Sequence, residues 1–168
     1  MSRQFKTCIM IAVILLQITI LPHFKPFGVI PDYTFVFVLT IAIICEDAES
    51  VVFAAVSGFL LDLLTGAPIG VNTMLYMYIS IGAVAISGKI YNKRLRVMLP
   101  VCFFASFIYQ LLFGILSMLL RRASFYPGQI FEVVLPVAAV NSIIFMPIFV
   151  ILSKLRFEKR RKGIKYEQ

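Results

Sequence analysis

The chain has 168 residues, of which 61% are hydrophobic and 14% charged, with a mean hydropathy of +0.96. A water-facing domain carries roughly 25% charged residues and a disordered chain needs low hydrophobicity, so a polytopic membrane protein remains. The net charge of +8 would suggest nucleic acid in a soluble chain. Here the basic residues stand at the ends of apolar runs, where they act as topology signals, and no nucleic-acid partner is expected.

The first apolar run covers residues 7–21, after the basic start Arg3 and Lys6. No small-x-small cleavage site follows it, only Leu21-Pro22-His23-Phe24, so it reads as an uncleaved first helix. Pro22, Pro26, Gly28 and Pro31 then mark a loop. The second run is 31–45, with Pro31 suited to the first helical position and Asp32 in the first turn, where the helix dipole favours an anion. The third run is 47–64, with Asp47 as its cap. It stops at Thr65-Gly66-Ala67-Pro68-Ile69-Gly70, by the glycine and proline content. The fourth run is 72–88, followed by a basic loop from Lys89 to Arg96. The fifth is 97–120, with Pro100 in its opening turn. A second loop spans residues 121–128. The sixth run is 129–153, expected to be kinked or broken at Pro136 and Pro147. Residues 154–168 form a basic tail, suited to topology anchoring or to an anionic leaflet.

Six runs of about 20 residues each leave no room for a soluble catalytic domain. The expected fold is an all-α membrane protein, a six-transmembrane-helix bundle over residues 1–153. Its orientation follows from Lys and Arg. One side collects Arg3, Lys6, Lys89, Lys93, Arg94, Arg96, Lys154, Arg156, Lys159, Arg160, Arg161, Lys162 and Lys165, and the other only Lys25, Arg121 and Arg122. Thirteen against three places both termini in the cytoplasm.

Asp62 is the most informative residue, because a carboxylate at membrane depth costs about 2.5–3.5 kcal/mol even on the mildest scale. It lies one turn before the Gly66–Gly70 break, and Asn72 and Thr73 lie just after it. Two readings stand: Asp62 ties down N–H groups at the start of the fourth helix, or it is a proton or substrate site. Gly66-x-x-x-Gly70 holds Pro68 and reads as a bend, whereas Ala54-x-x-x-Gly58 is a close-packing candidate. Gln17, Gln110 and Asn141 are uncharged polar groups inside runs, expected to hydrogen-bond neighbouring helices. Cys8, Cys45 and Cys102 form no C-x-x-C pair and read as inert thiols. One histidine, His23, makes no metal site. No Ser-His-Asp set, HExxH or phosphate-binding glycine loop is present, so neither an enzyme nor a cofactor is expected.

The segment from Gly28 to Tyr78, with the short N-terminal span ending in Leu21-Pro22 ahead of it, carries a resemblance. Phe27-Gly28-Val29-Ile30-Pro31-Asp32, then Gly58-Phe59-Leu60-Leu61-Asp62-Leu63-Leu64-Thr65-Gly66-Ala67-Pro68-Ile69-Gly70-Val71-Asn72-Thr73 and Tyr76, resemble the bacterial rod shape-determining MreD family. The match covers about the first half of the chain; the second half fits in length, hydropathy and the six-span plan. The resemblance implies an inner-membrane subunit of the cell-elongation machinery. Its implied partners are MreC, a bitopic protein with a periplasmic coiled coil, and, indirectly, MreB filaments and the peptidoglycan polymerase and transpeptidase. It also implies a fold similar to the six-helix substrate-binding subunits of energy-coupling-factor transporters. A solute-binding subunit of that transporter type is the alternative function. Pro31, Asp32, Gly58, Asp62, Gly66, Pro68, Gly70 and Asn72 are the matching positions, expected to be structural and partner-shaping. A scaffold of this kind would offer a small-residue groove in which a partner's single span packs.

Overall fold

The computed structural model describes residues 3–19, 28–66, 68–90, 95–120 and 126–164, with side chains described for 9–19, 28–66, 68–90, 95–120 and 126–154. Pro22, His23, Lys25, Pro26, Ala67, Lys93, Arg94, Arg121, Arg122, the Cys8 side chain and the basic side chains beyond Lys154 lie outside this description. Six α-helices run through the described residues: α1 (Arg3–Thr19), α2 (Tyr33–Cys45), α3 (Ala48–Thr65), α4 (Val71–Lys89), α5 (Leu95–Leu119) and α6 (Leu135–Ile164).

The centre of the bundle is α2. Its residues are apolar on every side apart from Thr34 and Thr40, and all positions from Thr34 to Ile44 are buried. A helix without a polar face has to be surrounded, and α2 packs against α1, α3, α4, α5 and α6. At 13 residues it is about 20 Å long, short of the ~30 Å hydrocarbon thickness. The outer wall is longer: α3, α4, α5 and the segment Ile130–Lys154 are each long and apolar enough to cross a membrane. On α5 only Met98, Cys102, Ser106, Tyr109 and Ser117 are buried, one inward stripe on a helix that otherwise faces outward.

Several boundaries shift from those expected. Pro31 is not the first helical residue. It lies one residue ahead of Asp32, which is the N-cap of α2, so Asp32 stands outside the first turn and uses its side chain to close it. Pro100 lies in the second turn of α5, because the helix starts at Leu95. The sixth run is not broken at Pro147, which is carried inside a continuous helix. Its irregularity is a π-helical turn at Ile130–Val134, which ends two residues before Pro136 and in which the Leu135 amide reaches back to the Ile130 carbonyl. A proline lacks the donor for its i−4 carbonyl and its ring crowds that carbonyl; the wider π turn relieves the crowding. Beside this turn, the Tyr126 hydroxyl donates to Glu132 Oε2 at 2.7 Å. That bond and the adjacent negative charge hold the phenol above its usual range. At the other end α6 continues as helix through Ile164, into the segment read from sequence as tail.

The α2–α3 connection is a tight reversal. Glu46 takes the left-handed conformation (φ 56°) and its amide bonds the Ala42 carbonyl, a helix ending that glycine usually supplies. Asp47 then caps α3 by accepting from the Ser50 amide at 2.9 Å. α3 and α4 form the most extensive pairing in the bundle, and Gly58 makes it possible. A Cβ at Gly58 would meet the Asn72 carbonyl oxygen at 2.6 Å and the Thr73 nitrogen at 2.7 Å, both backbone atoms with no freedom to move aside. Ala54, one turn earlier, is fully buried.

Gly58→Val is expected to destabilise the bundle by about 1–3 kcal/mol through overpacking, read as a lowered thermal midpoint in detergent. Gly82, whose added Cβ meets nothing within 4 Å, is the control. Gly82→Ala is expected to be neutral or to stabilise by up to about 1 kcal/mol.

Candidate functional site: a buried polar network at one end of the bundle

The start of α4 needs a cap from elsewhere. Its N-cap is Gly70 (φ 99°), which has no side chain to offer, and the chain reaches it through Gly66, also left-handed (φ 67°). Both glycines sit in a backbone region that side chains disfavour. Pro68 lies between them and its carbonyl accepts from the Val71 amide at 3.2 Å. Asp62, 1% exposed on α3, supplies the missing cap. Its Oδ2 accepts from the Gly70 amide at 2.9 Å, the Thr73 amide at 3.2 Å and Thr73 Oγ1 at 3.0 Å. Its Oδ1 accepts from the Asn72 amide at 3.2 Å. The orphan donors of the α4 terminus and the positive end of its dipole face this carboxylate. Gly58, Asp62, Gly66, Pro68, Gly70 and Asn72 are thus brought together around one turn.

A second carboxylate does the same for α2. Asp32 Oδ1 accepts from the Phe35 amide at 2.9 Å and from Gln17 Nε2 on α1 at 3.2 Å. Oδ2 accepts from the Tyr76 hydroxyl of α4 at 2.8 Å. The Asp32 amide donates to Asn141 Oδ1 on α6 at 3.1 Å, and Asn141 Nδ2 donates to Ser106 Oγ on α5 at 2.7 Å. Gln17 Oε1 accepts from the Thr34 amide at 2.7 Å and from Thr34 Oγ1 at 2.6 Å. Pro31 is buried just ahead of Asp32. Four other helices therefore converge on the first turn of α2.

Tyr109 of α5 stands between the two carboxylates. Its hydroxyl donates to Asn72 Oδ1 at 2.8 Å. Its ring stacks on Phe35 with centroids 4.7 Å apart and tilts against Tyr76 at 5.4 Å. The sequence alone does not single out Tyr109 or Ser106; the only signal is a spacing of three that puts both on one face of an apolar helix. Gln17 and Asn141 hydrogen-bond across helices, whereas Gln110 is half-buried and takes no part in the network. Cys102 is buried and Cys45 half-buried. Among the described residues every buried side-chain nitrogen and oxygen has a partner, so the carboxylate oxygens are committed to donors of this chain.

A groove of about 230 Å³ opens on the flank between α1 and α6 over α2, lined by Ile9, Ala12, Val13, Leu16, Tyr33, Phe37 and Ile148. Ala12 is its one small residue. It is not the small-residue groove expected from sequence, because Gly58 and Ala54 are spent on packing α3 against α4.

The chain matches the family of rod shape-determining protein MreD over residues 1–156. It belongs to the MreD family. The match extends through the second half of the chain, where α5 and α6 contribute Tyr109, Ser106 and Asn141 to the network. No curated protein and no solved structure matches it, so the likeness to transporter subunits rests on the family resemblance alone. As an MreD-family member with four helices fit to cross a membrane, it is a multi-pass inner-membrane protein of cell-shape determination.

Asp62→Ala strips the cap from Gly70, Asn72 and Thr73 together. Each buried donor left unpaired costs about 1–3 kcal/mol, so the variant is expected to lose most of its folded yield. Asp62→Asn, which keeps one acceptor oxygen, and Thr73→Val, which removes one of the four donors, are expected to lower the thermal midpoint without abolishing folding. Size-exclusion profiles and thermal midpoints of the three variants in one detergent check this ranking.

Proposed function

We propose that this MreD-family chain is an integral scaffold of the cell-elongation complex. It associates with an MreC-like bitopic protein and links MreB-like filaments on the cytoplasmic face to the peptidoglycan polymerase and transpeptidase. Family membership over residues 1–156 carries this reading. The geometry supports it: the polar groups of the bundle interior are spent on holding six helices in register, the property asked of a rigid adaptor. A solute site would instead present polar groups to its ligand, and here the oxygens of Asp62 and Asp32 are filled by the chain's own amides and hydroxyls. The chain acts by holding partners, without catalysing a reaction. Both termini lie in the cytoplasm in this reading, supported by the thirteen-to-three distribution of Lys and Arg. The α3–α4 turn and the network beneath it then belong to the periplasmic half of the bundle, and the acidic α2–α3 reversal to the cytoplasmic side. Lipid covers the remaining apolar wall.

Affinity purification from native membranes in mild detergent, with mass spectrometry, tests the proposal. A bitopic coiled-coil protein recovered with wall-synthesis enzymes is the expected result. Paired ATPases and a second polytopic subunit would overturn the scaffold reading in favour of transport.

A further inference from the structure

The two carboxylate caps are far apart in sequence and are built alike. Asp32 holds the first turn of α2 and Asp62 the first turn of α4. Each capped turn then hands one residue to the same side chain. The Phe35 amide sits on Asp32 Oδ1, and the Phe35 ring stacks on Tyr109 at 4.7 Å with the planes 17° apart. The Asn72 amide sits on Asp62 Oδ1, and Asn72 Oδ1 accepts the Tyr109 hydroxyl at 2.8 Å. Tyr76 completes the ring of contacts, with its hydroxyl on Asp32 Oδ2 and its ring 5.4 Å from that of Tyr109. Tyr109 therefore touches both capped turns, one through its hydroxyl on Asn72 and the other through its ring on Phe35.

We infer that Tyr109 couples the two caps into one mechanical unit, so that loosening the α3–α4 turn loosens the entrance to α2, and the reverse. Residues that share a hydrogen-bond network are energetically coupled, whereas independent caps are additive. The linked parts have different surroundings. Ile69, at the tip of the α3–α4 turn, is 70% exposed. The Asp32 cap holds α1 through Gln17 and α6 through Asn141. A contact made on the exposed turn is thus transmitted through Tyr109 to α1 and α6, the helices that the Asp32 cap holds. This coupling does not depend on which partner makes the contact.

Hydrogen exchange with mass spectrometry on the full-length protein in nanodiscs reads both ends at once. Asp32→Asn is expected to speed exchange of the Gly70–Thr73 amides, and Asp62→Asn that of the Tyr33–Val36 amides, each by roughly tenfold, within the range for residues sharing a network. In a Tyr109→Phe background, which keeps the ring and removes the hydroxyl bond, these remote effects should shrink while each local effect persists. If each Asn variant changes only its own cap, the coupling does not exist. If the remote effects are equally large with Phe at position 109, the Tyr109 hydroxyl is not the link. Should Asp62→Asn fail to insert, Thr73→Ala, which removes one donor and spares the backbone cap, takes its place in the same comparison.

Discussion

The structure depends on two carboxylates placed where an apolar bundle can least tolerate them uncompensated. Stripping water from an ionisable group is expensive, and burying backbone N–H groups without partners is expensive as well. Asp62 and Asp32 meet both demands with the same bonds. Four donors converge on Asp62, and three on the carboxylate of Asp32. Because α4 begins on a glycine, its cap has to come from another helix. That requirement fixes α3 against α4, and Gly58 allows the approach that brings Asp62 within reach.

Around this, the helices divide by task. The short central α2 provides the apolar interior, while α5 and α6 present long outward faces and one inward stripe each. The polar residues of those stripes, Ser106 and Tyr109 on α5 and Asn141 on α6, lie where they meet the capped turns. Helix association inside lipid gains little from hydrophobicity and relies on close packing and interhelical hydrogen bonds. Both devices are present here and act at neighbouring places: close packing at Gly58 and Ala54, hydrogen bonds at the turns just beyond.

Much of this was legible in the sequence. The apolar runs gave the helices, because spans of that length leave little ambiguity in composition. Asp62 stood out as a lone carboxylate in an apolar run, one turn ahead of a glycine-proline break, and its contacts with the next helix follow from that spacing. Asp32 was visible as a dipole-favoured residue and as a position of the family resemblance, but not as a meeting point of helices. Its convergence with Gln17, Tyr76 and Asn141 joins positions 15, 44 and 109 residues away, and no local pattern encodes a meeting of that kind. Tyr109 was hidden for a further reason. A tyrosine in an aromatic-rich helix reads as ordinary packing until the acceptor opposite its hydroxyl is known. The sixth run was expected to kink or break at Pro136 and Pro147; its π turn lies just ahead of Pro136, since sequence shows where a helix is stressed and not where the stress is relieved.

The composition of the Asp32 cluster also bears on how the protein is made. Gln17 belongs to the first of the six helices to be synthesised and Asn141 to the last of the six. When α2 enters the membrane, Asp32 has its own first turn and Gln17 for company. Tyr76 arrives two helices later, and the Asp32 amide finds its acceptor only once α6 is inserted. The polar centre is therefore a closing latch: it cannot be completed by any partial chain, and its completion draws the last helix to the first. A nascent protein interrupted before α6 would carry an unfinished polar site, with the Asp32 amide left without its acceptor, a cost that a buried backbone donor bears until its partner arrives.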